Sequence, residues 1–235
     1  MKKHIFSLIL SFSVFSVIAQ DIPKNQNAYD LDSNKTGTWT ILYDVNWNIT
    51  NIVDSADFFR IINYKDGIPN GKVVDYYITG EKQWEGFLLS DYPEDLYANG
   101  EFLWFDKDGS VTGRKIVEDN KKQEYFFNKK KLVFETVRIN DSIISCKILA
   151  ENIEDIPLDL SYLIANTYYT IGEYHVSATY YKQILIILQK QDVKNSEQYI
   201  FVLEQLMVIY SKYVVDWDIM YSYAEQYYEI CKELY

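Results

Sequence analysis

Between Asn70 and Gly113 the chain writes one short unit twice, and that repetition limits what it can fold into. NGKVVDYYITGEKQWEGF begins at Asn70, and NGEFLWFDKDGSVTG begins at Asn99. In each, an Asn-Gly pair (Gly71, Gly100) opens an alternating run with paired aromatics (Tyr76 and Tyr77; Trp104 and Phe105), and a glycine (Gly80, Gly109) closes it. Alternation of bulky and polar residues marks a half-buried strand, and a glycine beside Asn, Asp, Thr or Lys marks a hairpin turn that needs positive φ. The alternation puts Val73, Asp75 and Tyr77 on one face and Val74, Tyr76 and Ile78 on the other. Likewise Phe102 and Trp104 oppose Leu103 and Phe105. A unit this short cannot bury its apolar face alone, so neighbouring hairpins must stack and enclose the rings.

An upstream copy stands in FFRIINYKDGIPNG (Phe58, Phe59, Tyr64, Asp66, Gly67), and a degenerate one, without the glycine, runs from Gln123 to Ile139. These residues resemble MORN-type repeats, in the glycine- and aromatic-rich variant of secreted bacterial proteins. The resemblance covers roughly Phe58 to Gly113, and YYITGEKQWEG is its closest part. It implies a curved antiparallel sheet of hairpins that serves as a binding or spacer surface, with no catalytic residues to carry over. Strand character begins at Gly37, in TWTILYDVNWNIT, and continues through Val117. It is interrupted at Leu89 to Asn99, where Pro93, Asp91, Glu94 and Asp95 suggest a solvated loop.

The stretch from Met1 to Ala19 reads as a secretory signal: Lys2 and Lys3, an apolar run from Ile5 to Ile18, then Val17 and Ala19 before the cut. That run is too short to span a bilayer comfortably, so no membrane insertion is expected after cleavage. The product is expected in the periplasm or outside the cell. Loss of Lys2 and Lys3 changes the formal charge from −11 to −13, which gives no electrostatic basis for gripping nucleic acid or anionic lipid. Residues 20–36 are polar and read as a flexible leader. Cys146 and Cys231 stand far apart in the chain, in segments of different character, and two free thiols are favoured over a disulfide.

Residues 37–139 thus form the β-repeat region and 140–157 a linker, in which SIISCKILAENI fits strand or helix equally. From Pro157 the period becomes helical. Leu160, Leu163, Ile164, Ala165, Tyr168 and Ile171 trace one face, ended by Gly172. A second helix runs from Glu173 to about Lys190, and Asn195 with Gln198 resembles a capping box for a third. Asp216 or Asp218 would cap a fourth. The fold class expected is therefore α+β, an antiparallel sheet followed by about four helices over 158–235.

In ANTYYTIGEYHVSATYYKQIL, Ala165, Tyr168, Gly172, Tyr174, Ala178 and Tyr181 fall where tetratricopeptide repeats place their small and aromatic packing residues. The second copy keeps Met207, Tyr210, Ala224 and Tyr228 but has a longer connection between its helices. The resemblance implies a peptide groove lined by Tyr162, Asn166 and Tyr169 from the first helix and by Glu204, Val208 and Lys212 from the third. Two such repeats make a short solenoid, whose helices would pack on the sheet, pair with a second copy or continue into further repeats. The apolar run Ile184 to Leu188 supports some covering partner.

Catalytic patterns are scarce. The histidines are His4, within the signal, and His175, so no mature histidine pair is left to hold a metal or build a triad. No phosphate loop, dinucleotide fingerprint or CxxC occurs, and DKDGSVTG at Asp106 lacks the twelfth-position Glu of a calcium loop, where Val117 stands. No metal or cofactor is expected. Glu81, Glu85 and Glu101 neighbour Trp84 and Trp104, but a solvated strand face is the favoured reading over a sugar cleft. The function expected is a non-enzymatic, exported interaction or scaffold protein that binds a protein or peptide. The alternatives are a carbohydrate-binding surface with Trp84 and Trp104 as stacking platforms, and an immunity or antitoxin-like inhibitor.

Overall fold

The structure, a computed structural model, describes residues 22–24, 27–91, 96–193 and 196–234. The signal at 1–19, the Asn195 cap and Pro93, Glu94 and Asp95 of the acidic loop lie outside them. Among the described residues thirteen strands form one sheet. Ten follow each other across it in chain order: β1 (Ala28–Tyr29), β2 (Lys35–Tyr43), β4 (Phe58–Lys65), β6 (Lys72–Tyr77), β7 (Lys82–Ser90), β9 (Gly100–Phe105), β10 (Val111–Glu118), β11 (Lys121–Asn128), β12 (Lys131–Ile139) and β13 (Ser142–Ile148). The short strands β3 (Ile49–Thr50), β5 (Ile68–Pro69) and β8 (Leu96–Tyr97) pair with β2, β4 and β7. Every pairing is antiparallel.

Two strands extend the sheet beyond the region the sequence marks for it. β1 and the start of β2 lie in the stretch read as a leader, where the Asn27 amide ties the chain to Thr40 through both its carbonyl oxygen (2.9 Å) and its nitrogen (3.0 Å). β13 lies in the stretch read as a linker and pairs with β12 from Ser142 to Ile148.

One five-residue turn occurs at 30–34, 44–48, 77–81 and 106–110. In each, the first N–H donates to the fifth carbonyl and the fourth N–H to the first carbonyl, at 2.8 to 3.1 Å. The fourth residue takes positive φ: Ser33 (+65°), Trp47 (+62°), Gly80 (+101°) and Gly109 (+78°). This is a type I turn closed by a left-handed residue, a geometry glycine adopts without strain. The Asp44 carboxylate accepts from the N–H groups of Asn46 and Asn48, and Asp30 repeats the arrangement with Asp32 and Asn34. Asp106, which opens the stretch resembling a calcium loop, accepts instead from the N–H of Lys107 and begins a turn of the same kind.

Cross-strand partners share a face, so the register traces a row across nine strands: Ile41, Arg60, Asp75, Trp84, Trp104, Gly113, Phe126, Phe134, Ile148. Toward β2 this face buries Trp39, Ile41, Tyr43, Ile62, Tyr64, Val73, Leu88 and Phe102. Rings can lie this close because Gly86 has no side chain: a Cβ there would stand 2.2 Å from Phe102 and 2.7 Å from Trp84.

Toward β13 the same face meets the helices α1 (Leu158–Thr170), α2 (Tyr174–Lys190), α3 (Glu197–Val208) and α4 (Trp217–Leu234). Val133 and the fully buried Phe134 enter one core with Leu160, Ile164, Leu185 and Leu206. Ala165 and Ala178 are buried between α1 and α2, and the Ser177 hydroxyl donates to the Ala165 carbonyl at 2.9 Å. Most of the run from Ile184 to Leu188 is covered within the chain, with Ile184, Leu185 and Leu188 inside this core and Ile186 outside it. Ser196 caps α3 by accepting from the Tyr199 N–H, and Asp216 caps α4 by accepting from that of Ile219. Cys146 and Cys231 are both free. No helix among the described residues is long and apolar enough to cross a membrane.

Candidate functional site

Two places gather aromatic and polar side chains beside open space. The first is the exposed flank of α1 and α3. Tyr162 donates to the Gln198 carbonyl at 3.4 Å and lies 6.5 Å from the Phe201 ring, which is 40% exposed. Asn166 is exposed and accepts from the Tyr181 hydroxyl at 2.6 Å, which fixes its amide. Tyr169 meets Tyr213 edge-on at 5.9 Å, and Tyr213 stacks on Tyr174 at 3.8 Å. The hydrogen bond that the Tyr169 hydroxyl donates to Tyr213 raises its phenol above the ordinary range.

The residues expected from the third helix are placed differently. Glu204 reaches toward α4, where the Cys231 thiol and Glu204 push the Tyr227 phenol upward. Val208 is half-buried and Lys212 exposed. For Lys212 the cause is local: residues Ile209–Tyr213 form a π turn, which adds one residue to the helical period. Spacing by four therefore points to Lys212, while Tyr213 occupies the place beside Tyr169. Phe201, in α3, and Tyr213, at the end of the π turn that follows it, escaped the sequence reading.

The second place is a cavity of about 270 Å³ on the sheet. Its walls carry the rings of Trp47, Trp84, Tyr97 and Trp104 and the polar groups of Arg60, Asp75 and Gln83. Arg60 and Asp75 are 3% and 2% exposed and form a bidentate pair, Nε to Oδ1 at 2.7 Å and Nη2 to Oδ2 at 2.9 Å. The guanidinium also lies over Tyr43 and Trp84, 5.5 and 5.9 Å from their centroids. Burying two charges is tolerable only with such mutual satisfaction. By contrast, Trp84 Nε1 and Gln83 Oε1 are buried and have no hydrogen-bond partner among the described residues.

Trp84 is thus not an exposed stacking platform: it is 4% exposed and sits in the sheet core. Trp104, 6.4 Å from it, is half-buried and also lines a wider cleft of about 560 Å³ between β9 to β11 and α1. The acids beside these tryptophans are engaged elsewhere. Glu85, next in sequence to Trp84, falls on the opposite face and pairs with Lys72 at 2.7 Å, while Glu101 pairs with Arg114 at 2.6 Å. Glu81 bonds the Thr79 hydroxyl within its turn. Arg60, Asp75, Gln83 and Tyr97 were missed by the sequence reading. The usable signal was Asp75, an acid on the same strand face as Val73.

Among the described residues no group of three or more His, Cys, Asp and Glu side chains is placed to hold a metal ion. His175 is exposed in the first turn of α2. No protein-family model matches the chain, and neither a curated protein nor a solved structure shows significant similarity to it.

Proposed function

We propose that the chain is an exported, non-enzymatic binding protein whose helices receive a peptide or partner helix. The single observation behind this reading is the open aromatic strip on α1 and α3. Phe201 and Tyr213 are 40% and 44% exposed, and with Tyr162 and Tyr169 they leave ring surface in water alongside the fixed amide of Asn166. Tyrosine and phenylalanine supply large contact area with few rotatable bonds, and fixed polar groups set register, which is what peptide recognition requires. The resemblance to tetratricopeptide repeats supports the same face, since that family binds across its inner helices. The resemblance to glycine-aromatic hairpin repeats supports a spacer or second binding surface in the sheet, and the signal-like stretch ending at Ala19 supports export.

Selection from a random peptide display library tests the reading. The expected outcome is enriched peptides that bind saturably to the wild-type chain and at least tenfold more weakly to a Tyr169→Ala, Phe201→Ala double variant with an unchanged circular dichroism spectrum. An empty selection, or binding that ignores both substitutions, would sink it. The carbohydrate reading is favoured by a separate observation, the sheet cavity.

A further inference from the structure

We infer that the cavity walled by Trp47, Trp84, Tyr97 and Trp104 binds one neutral sugar residue. The first ground is the pair of orphans. Trp84 Nε1 is a donor and Gln83 Oε1 an acceptor, both are buried without a partner among the described residues, and both residues line the same cavity. Leaving such a group unpaired is costly, so an occupant that satisfies both gains hydrogen bonds the empty cavity lacks. A sugar hydroxyl both donates and accepts. It therefore answers either orphan, whichever way the Gln83 amide is turned.

The second ground is the walls. A sugar ring presents C–H groups on its faces and hydroxyls at its edge, and it packs against indole and phenol faces while its rim makes hydrogen bonds. The volume, about 270 Å³, is close to the lower end of the roughly 300–1,000 Å³ of small-molecule sites, which suits a single ring. Charge is the third ground. Arg60 and Asp75 hold each other in a bidentate pair, so a neutral ligand fits where a charged one would compete with it.

Trp47 adds an independent sign. It stands at the fourth position of a turn whose counterparts at 77–81 and 106–110 use Gly80 and Gly109, and a bulky residue at φ +62° is strained there. Strain of this kind persists only where the surrounding structure holds it in place, and it gathers at ligand sites. The strained turn lays the indole flat on Phe58, 4.5 Å between centroids at 9°, and brings it to the cavity wall.

Saturation-transfer NMR on the full chain decides the matter. Glucose, galactose, mannose and N-acetylglucosamine would each be offered free and as the terminal unit of a trisaccharide, with adenosine as a ring-bearing control. At least one sugar is expected to bind saturably, with affinity at least tenfold lower in Gln83→Leu, Trp84→Phe and Trp47→Gly. Binding of the free sugar identifies a soluble ligand, and binding of the trisaccharide alone identifies a glycan end; both support the inference. Three results overturn it: silence across the sugars, binding of adenosine alone, or affinities unchanged in those variants whose circular dichroism matches the wild type. Because the variants lie in the sheet and the peptide strip on the helices, failure here leaves the peptide reading intact.

Discussion

Gly86 shows how one residue can set the packing of a face. Its φ is not in the left-handed region, so the requirement there is space. Phe102 is fully buried, and its ring occupies the volume a Cβ would need at 2.2 Å. Neither obvious escape is open: Phe102 is enclosed in the sheet core, and Trp84 closes the other side at 2.7 Å. Gly86→Ala is therefore expected to cost about 3 kcal/mol, the upper range for overpacking a close-fitted core, read as a lower urea midpoint at unchanged slope. A loss below about 1 kcal/mol would mean that the rings can move aside. From the sequence, Gly86 looked like one more glycine of the repeated unit. Periodicity assigns a face to each residue, but it does not say which ring from the next strand lies over it.

Turns show most directly what local sequence can and cannot reveal. Gly80 and Gly109 mark their hairpins legibly, because positive φ asks for glycine. The β11–β12 connection needs the same conformation but hides it: Lys129 (φ +46°) and Lys130 (φ +66°) both occupy left-handed backbone between Asn128 and Lys131. Two consecutive left-handed residues are the geometry for which Asn-Gly is preferred, while lysine in that region bears a cost of roughly 1–2 kcal/mol. Replacing Lys129 by Asn and Lys130 by Gly is expected to raise stability by about 1 kcal/mol, since both side chains are exposed and no packing is lost. Equilibrium denaturation checks this, and an unchanged or lower midpoint would refute it. The helices follow the same logic. Their periods and the Asp216 cap are readable, but the π turn at Ile209–Tyr213 is not, because no residue type requires it, and the partners expected of Tyr169 shift with it. β13 was undecided because its alternation was too weak to separate strand from helix without β12 beside it.

At the scale of the molecule, the sheet and helices are joined through Phe134, which stands near the end of one row of cross-strand neighbours and enters the helical core. Which of many apolar strand positions would do this was not legible, since it depends on contacts between segments far apart in sequence. The joined core is rich in phenols, and that sets how the fold responds to alkali. Burial, with charge from Tyr169 and Tyr162, pushes Tyr181 up to about 12; burial, with Tyr210 and Tyr199, does the same to Tyr223. Burial also raises Tyr168, reinforced by its bond to Cys146, and in the sheet core it raises Tyr64, reinforced by Asp91. Each folded value lies above the ordinary phenol value of 10.0, so the native state binds the proton more tightly than the unfolded chain. The contribution to stability is complete below pH 10 and disappears as pH rises toward about 12. Tyrosinate absorbance and loss of ellipticity are therefore expected to rise together in one cooperative step within that window. Tyr223→Phe removes one of the linked protons and should move the step to higher pH. If buried phenols ionised smoothly near pH 10 with ellipticity intact, the core would be open to water at the very tyrosines that pack it.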